Sequence, residues 1–509
     1  MPEGVSFNTT EDNFSMFYYS TRDPKKEKKY TSAEIIKQGL ADDGGLFVPE
    51  SVPSLTEAEI NALCSDSYPV RAAKILSKFL TDYTYEELLE DCEKAYCDTS
   101  FVGGAAPLTN IKENIYTLEL WHGPTAAFKD MALQIMPRLL SRALVKTGEK
   151  RTALILVATS GDTGKAALEG YKDIPGIKIM VYYPVDGVSR VQKLQMATQT
   201  GDNVGVLAIK GNFDDAQSGV KAIFADNDIS KALDEKGFFL SSANSINWGR
   251  LAPQIVYYVS AYCDLVKEGK IKYGDDINIC VPTGNFGNIF AAYIAKLMGL
   301  PLAKLICASN ANCVLTDFFG CGTYNKLRDF HMTMSPSMDI LISSNLERLL
   351  YFTAGADATV DCMTKLNTVG QYSVSDDIRA LIGEDFCGYC AGETETANTI
   401  RSCFESTGNL IDTHTAVALF CAEKYRTDTD DTKPMVVAST ASPYKFASDV
   451  YASITANVPS DGLDALGMLS SLTNTEITYP LKGIAARKIQ FSEVIEKTEM
   501  PEKVLEFAK

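Results

Sequence analysis

Apolar residues along this chain follow two regimes. Up to about residue 106 they recur at helical spacing. Thr31 or Ser32 can cap a helix running through Gln38, which the turn at Asp42–Gly45 then ends. Residues Tyr68–Cys97 carry apolar positions three and four apart, with a break near Tyr83. From about residue 107, short apolar runs alternate with helical periods. Runs of strand length occupy Tyr116–Trp121, Thr152–Thr159, Lys178–Pro184, Val204–Lys210, Phe238–Ser242, Ile277–Thr283, Leu305–Ser309 and Met435–Thr440. Helical periods lie at Ala127–Leu144, Gly164–Tyr171, Phe213–Ala225 and Trp248–Val266. Strands separated by helices predict parallel sheets in an α/β fold. Several strands are apolar throughout, as when helices cover both sheet faces.

Composition narrows the class. With 509 residues the chain exceeds a single core, so two or three packed units are expected. A hydrophobic share of 46% with 22% charged residues is that of a soluble globular protein. The net charge of -17 repels nucleic acid and anionic lipid, so neither is an expected partner, but it does not exclude a small anionic substrate held locally by a few donors. The polar N-terminus has no apolar signal region, and no run approaches the ~20 apolar residues of a membrane span, so a cytoplasmic protein is expected. The thirteen scattered cysteines read as reduced core residues. Cys387 and Cys390 form a C-x-x-C, but no second pair or nearby histidine completes a metal site. His122, His331 and His414 lack zinc-ligand spacing, and no metal is expected.

Ligands of open α/β sheets bind beyond the carboxyl ends of the strands, so the segments after each strand carry the candidate chemistry. These are HGPTAAFKD, SGDTG, SSANSINWGR, GNFGN and TASPYK. Their Gly, Ser, Thr and Asn residues expose backbone N–H groups and short polar side chains, and together they predict one polar cup. GNFGN (Gly284, Asn285, Phe286, Gly287, Asn288) joins a strand to a helix, whose unpaired N–H groups suit a phosphate. The same glycines equally suit a tight turn. SGDTGK is not a Walker loop, because Thr159 stands where a glycine is needed and Ala166 follows Lys165. Ser160, Gly161, Thr163 and Gly164 suit either a bound carboxylate or a capped helix start. Lys129, between Phe128 and Met131, is either a solvated charge or an amine whose partly apolar surroundings make it a Schiff-base nucleophile.

Taken in order, HGPTAAFKD, ATSGDTG, SSANSINWGR, PTGNFGN and DTHTAVA resemble the threonine synthases of bacterial and fungal type, which have the tryptophan-synthase-β-like pyridoxal-phosphate fold. YYSTRD, GGLFVPE and SPSMDI extend the resemblance from about residue 17 to about 450. It implies two parallel-sheet α/β domains and a mainly helical N-terminal unit. The expected division is 1–106 for that unit, 107–135 with 236–509 for a large cofactor-binding domain, and 136–235 for a small domain.

The implied cofactor is pyridoxal 5'-phosphate, joined to Lys129. Gly284 to Asn288 would hold its phosphate, Thr440 would face its ring nitrogen, and Asp162 would lie near its phenolic oxygen. An acid beside a phenolate is unfavourable unless one of them holds a proton. Ser160, Gly161 and Thr163 would bind the substrate carboxylate; Asn244, Ser245, Asn247 and Arg250 would bind its phosphate. The implied reaction converts O-phospho-L-homoserine and water to L-threonine and phosphate, in a monomer or homodimer. The same motifs fit a phospho-lyase giving 2-oxobutyrate, or a non-catalytic pyridoxal-phosphate-binding protein.

Overall fold

A computed structural model describes residues 15–509, apart from 160 and 187. In the N-terminal unit, Thr31 caps the helix Ser32–Gln38 in a box with Glu34, as its position requires. Tyr68–Ser77 and Tyr85–Ala95 are separate helices, and the break contains Tyr83, whose hydroxyl donates to the Leu139 carbonyl. An antiparallel ribbon of Tyr18–Ser20 and Phe47–Pro49 completes this unit.

The remainder is built on two sheets. The large one orders its strands Phe386–Cys390, Leu302–Ser309, Ile277–Pro282, Met435–Ser439, Ile115–Glu119 and Leu108–Lys112. All its pairings are parallel except the last. The small sheet is wholly parallel, in the order Val494–Ile495, Val204–Ile209, Ile177–Pro184, Thr152–Ala158 and Phe238–Ser241. The α/β class is therefore as the alternating pattern requires. Among the described residues, no helix is long and apolar enough to cross a membrane.

Two expectations are corrected. The boundary at residue 236 separates Phe238–Ser241 from the sheet it joins. That strand pairs with Thr152–Ala158, whose edge N–H and C=O groups need a partner. The opposite edge takes Val494–Ile495, and Met500 and Val504 pack beside it, so part of the C-terminal segment also belongs here. The helix expected over Ala127–Leu144 is two helices, Lys129–Leu133 and Met136–Lys146. Pro137 starts the second and cannot continue the first. FCGYC forms the edge strand Phe386–Cys390. Cys387 and Cys390, three apart on a strand, project from opposite faces.

Two buried arginines fasten the N-terminal unit to this frame. Arg71 donates to Ser260 Oγ at 2.6 Å and Asp264 Oδ1 at 2.7 Å on the central helix Trp248–Lys267, which is buried at nearly every position. Arg348, with no exposed surface, donates to the carbonyls of Phe47 at 3.0 Å and Ile246 at 2.6 Å, and to Asn345 Oδ1. Its neighbour Glu347 accepts from Thr21 Oγ1 at 2.6 Å and from Arg22 Nε and Nη2 at 2.9 and 2.8 Å. Arg348→Met leaves two buried carbonyls without these donors, at about 1–3 kcal/mol each. Urea denaturation is expected to show a loss of about 3 kcal/mol, with proteolysis beginning in residues 15–106. A loss under about 0.5 kcal/mol would show that the anchor contributes little.

Candidate active site

The cup forms where the carboxyl ends of the two sheets meet. HGPTAAFKD is folded on itself by Asp130, which is fully buried and accepts from Thr125 N at 2.8 Å and Thr125 Oγ1 at 2.7 Å. Burial pushes the Asp130 carboxyl up to about 6, against these donors. The loop is also laced to the segment after Met435–Ser439. Phe128 N donates to the Thr440 carbonyl at 2.8 Å, and Ser442 N to the Ala126 carbonyl at 3.1 Å. These bonds seat Lys129 at a helix start with its side chain 11% exposed. Its Nζ lies 3.5 Å from Asp162 Oδ2 and 3.4 Å from Ser337 Oγ, and 5.1 Å from the Phe128 ring centroid. Burial lowers the proton affinity of this amine. Lys445 and Arg250 add to the effect, and Asp162 opposes it.

Asp162 comes from the small sheet. Thr159 Oγ1 folds its loop by accepting from Gly161 N at 2.9 Å and Gly164 N at 3.0 Å. Gly161 has φ +139°, and a Cβ there would lie 2.5 Å from the Gln192 side chain, so only glycine fits. Asp162 Oδ1 accepts from Gln192 Nε2 at 2.8 Å and from Lys445 Nζ at 3.0 Å. Burial would raise its pKa, but Lys445, Lys129 and Gln192 outweigh burial and hold the carboxyl well below the usual range. Asp162 is thus ionised in the cup as its own side chains form it. Thr163 is half-buried in the same turn, and Ser160 lies outside the described residues. Lys165 turns away to Glu169, at 2.9 Å, and to Gln199.

GNFGN lies between the strand Ile277–Pro282 and the helix Gly287–Leu297. Phe286, in the left-handed region at φ 64°, takes the cap position but offers no side-chain acceptor, so the first-turn amides are left for something else. A Cβ on Gly284 would lie 2.7 Å from the Ser337 carbonyl. The Asn285 carbonyl accepts from Asn345 N and Nδ2 at 3.1 and 2.8 Å. Asn288 Oδ1 accepts from both Tyr257 and Tyr258 hydroxyls, at 2.6 and 2.5 Å, and its buried Nδ2 has no protein partner. A backbone cradle, an uncapped helix start, an orphaned amide donor and a buried lysine together fit a phosphate ester that carries an aldehyde.

The loop after Phe238–Ser241 divides its residues. Arg250 is buried, donates through Nη1 to the Ala243 carbonyl at 2.8 Å, and leaves Nε without a partner. Burial brings its pKa down to about 10. Asn244 is exposed and Ser245 half-buried. Asn247 is a correction. It is fully buried, caps Trp248–Lys267 through Gly249 N at 2.8 Å, and donates to the Ile36 carbonyl at 2.9 Å, so it faces the N-terminal unit.

Three residues of the cup escaped the sequence reading, although motifs singled out there contain them. Lys445 ends TASPYK, Ser337 lies in SPSMDI, and His414 lies in DTHTAVA. Ser337 N donates to His414 Nε2 at 3.1 Å, while His414 Nδ1 meets Asp412 Oδ2 at 2.8 Å. Asp412 thereby fixes the tautomer that holds Ser337 beside Asp162 and Lys129.

Comparison with known proteins agrees with this geometry. Residues 104–441 match the family described as pyridoxal-phosphate dependent enzyme, residues 17–96 match threonine synthase N terminus, and residues 415–502 match threonine synthase, C-terminal. The fold is that of the pyridoxal-phosphate-dependent class. A threonine synthase from Pseudomonas aeruginosa is 39% identical over 441 residues, 86% of this chain and 90% of that protein. The structure of threonine synthase from Brucella melitensis with bound pyridoxal phosphate aligns with TM-score 0.86 at 36% identity, covering 97% of this chain and all of that one. Within the class, the chain belongs to the threonine synthase family. Threonine synthase-like 1 of Homo sapiens is 40% identical over 435 residues, 83% of this chain; the match spans only 58% of that longer protein.

Gly284→Ala pushes against backbone, whereas a Cβ on Gly287 meets the Asn345 side-chain amide at 3.3 Å. Overpacking of the first kind costs about 1–3 kcal/mol. Gly284→Ala is expected to weaken pyridoxal-phosphate binding roughly ten- to hundredfold, and Gly287→Ala less. Equilibrium dialysis returning unchanged affinity for both would remove the loop from the site.

Proposed function

We propose that the chain converts O-phospho-L-homoserine and water to L-threonine and inorganic phosphate, with pyridoxal phosphate held by Lys129, Gly284 to Asn288 and Thr440. The observation that carries this reading is the buried Lys129 within 3.5 Å of Asp162 and Ser337, in a chain 39% identical to a threonine synthase over 441 residues. When bound, pyridoxal phosphate supplies an electron sink for carbanions beside the substrate amine.

The chain's residues do the rest. Lys129, with its proton affinity lowered, takes the proton from the substrate's Cα and returns a proton later in the cycle. Loss of a Cβ proton lets phosphate leave from Cγ; water then adds at Cβ and a proton returns to Cγ. The substrate carboxylate is assigned to the turn of Gly161 and Thr163, with the Thr163 hydroxyl as donor, because the Gly161 and Gly164 amides are spent on Thr159 Oγ1. Arg250, with Nε unspent, takes the departing phosphate, helped by Ser245 and Asn244. The buried walls of the cup keep out bulk water, which otherwise competes for these donors.

The human relative named threonine synthase-like 1 is as similar as the bacterial threonine synthase. The decisive measurement is therefore identification of the organic product formed from O-phospho-L-homoserine. Threonine is expected; 2-oxobutyrate with ammonia would replace this reading with a phospho-lyase. Lys129→Ala is expected to abolish turnover and the visible absorbance of the bound cofactor. Borohydride reduction and peptide mapping that placed the cofactor on another lysine would overturn the assignment. Arg250→Ala removes a charge-assisted contact worth about 1.5–3 kcal/mol, so kcat/KM is expected to fall roughly 10–150-fold, with cofactor affinity kept. Unchanged phosphate inhibition with collapsed cofactor affinity would move Arg250 to the other phosphate.

A further inference from the structure

The reading of Lys129 as the cofactor lysine leaves a second buried lysine unexplained. Lys445 lies in the short turn Pro443–Phe446, and its side chain has no exposed surface. An ammonium is costly to bury unless it is paired. Here it donates to Asp162 Oδ1 at 3.0 Å and to the Thr125 carbonyl at 2.8 Å. It thereby joins the small-sheet loop to HGPTAAFKD.

Asp162 is consequently shared by two ammonium groups. Its Oδ1 serves Lys445 and Gln192; its Oδ2 serves Lys129 at 3.5 Å and Ser337 at 3.4 Å. The other groups facing Lys129 are the Phe128 ring, the Ser337 hydroxyl and the cation Arg250. Asp130, next in sequence, is occupied by Thr125. One carboxylate between two lysines best retains the proton of the closer one. We propose that Lys445 is a positioning residue that takes up the charge of Asp162, so that Lys129 is the amine in this cup that gives up its proton. Were Lys445 uncharged, Asp162 would pair with Lys129 alone and hold its proton to higher pH. Were Asp162 uncharged, Lys445 and Arg250 would repel the Lys129 ammonium and its proton would leave at lower pH.

The test is the pH midpoint of Lys129 acetylation by acetic anhydride in the full-length, cofactor-free chain, read by mass spectrometry of the Lys129 peptide. This readout depends neither on cofactor nor on reaction product. It therefore fails separately from the assignment of function, which product analysis and borohydride mapping decide. Lys445→Met is expected to raise the midpoint by about one pH unit, a tenfold change in proton affinity, and Asp162→Asn to lower it. The double variant is expected near the starting value, and Lys445→Arg is expected to restore the midpoint. Should Lys445→Met fail to fold by circular dichroism, Lys445→Gln, which can still donate to Thr125, takes its place. A midpoint unchanged or lowered in the Lys445 variant, or shifted in the same direction by Asp162→Asn, overturns the proposal.

Discussion

The site depends on one buried cation whose donors all go to neutral oxygens of the chain. Arg348 has no carboxylate bonded to it; its donors go to two carbonyls and one amide oxygen from three separate segments. Burial lowers its pKa to about 9, which leaves it charged at neutral pH. A charge so placed is tolerated only while every one of those acceptors stays in position. The Phe47 carbonyl belongs to the N-terminal ribbon, the Ile246 carbonyl to the loop that carries Arg250, and Asn345 holds Asn285 in GNFGN. The N-terminal unit is therefore part of what fixes the cup, and its first hundred residues have a structural reason to accompany the two sheets.

Charge is distributed unevenly between surface and cup. The chain carries a net -17, yet Lys129 and Lys445 share Asp162, and Arg250 adds its charge beside Lys129. Such a surplus of positive charge is paid for by burial, which weakens each cation's hold on its proton, as it does for Lys129 and Arg250. A lysine that is to serve as a base gains from this, because a weaker hold on its proton makes the free amine more available. An arginine loses little, since a pKa of about 10 still leaves it charged at neutral pH.

Much of the frame was legible because it is local. Eight strands, all but Phe238–Ser241 interior to their sheets, have apolar runs long enough to announce themselves, and Phe213–Ala225 was read to its ends. What escaped lies at sheet edges. Leu108–Lys112 is mostly half-exposed, Phe386–Cys390 is short and mixed in polarity, and Val494–Ile495 has only two residues. Their place is decided by a partner distant in sequence, which periodicity does not encode. The site divides in the same way. GNFGN and Lys129 stand out because a strand, a small-residue loop and a helix start are contiguous. Lys445 meets Thr125 across 320 positions, and its motif gave no sign of that contact. Asn247 was misread because a helix cap and an anion site ask for the same residue types. Only the Ile36 carbonyl beside it distinguishes them.

The two elements to which the proposed function assigns phosphates are built on different chemistry. At GNFGN the donors are backbone amides at a helix start, fixed by Asn345, Ser343 and the two tyrosines on Asn288. Such donors cannot move without unwinding the helix, so they favour a group that stays bound through every cycle. Arg250, in the first turn of Trp248–Lys267, instead has one arm tied to the Ala243 carbonyl of the preceding loop, and its Nε has no partner among the described residues. A side chain held at one end keeps a charged donor available to an anion whose charge grows on leaving carbon. A permanent phosphate is thus best placed on backbone and a departing one on a guanidinium. The proposed function needs one of each: GNFGN follows a strand of the large sheet, and Arg250 stands in the first turn of the helix that comes after a strand of the small one.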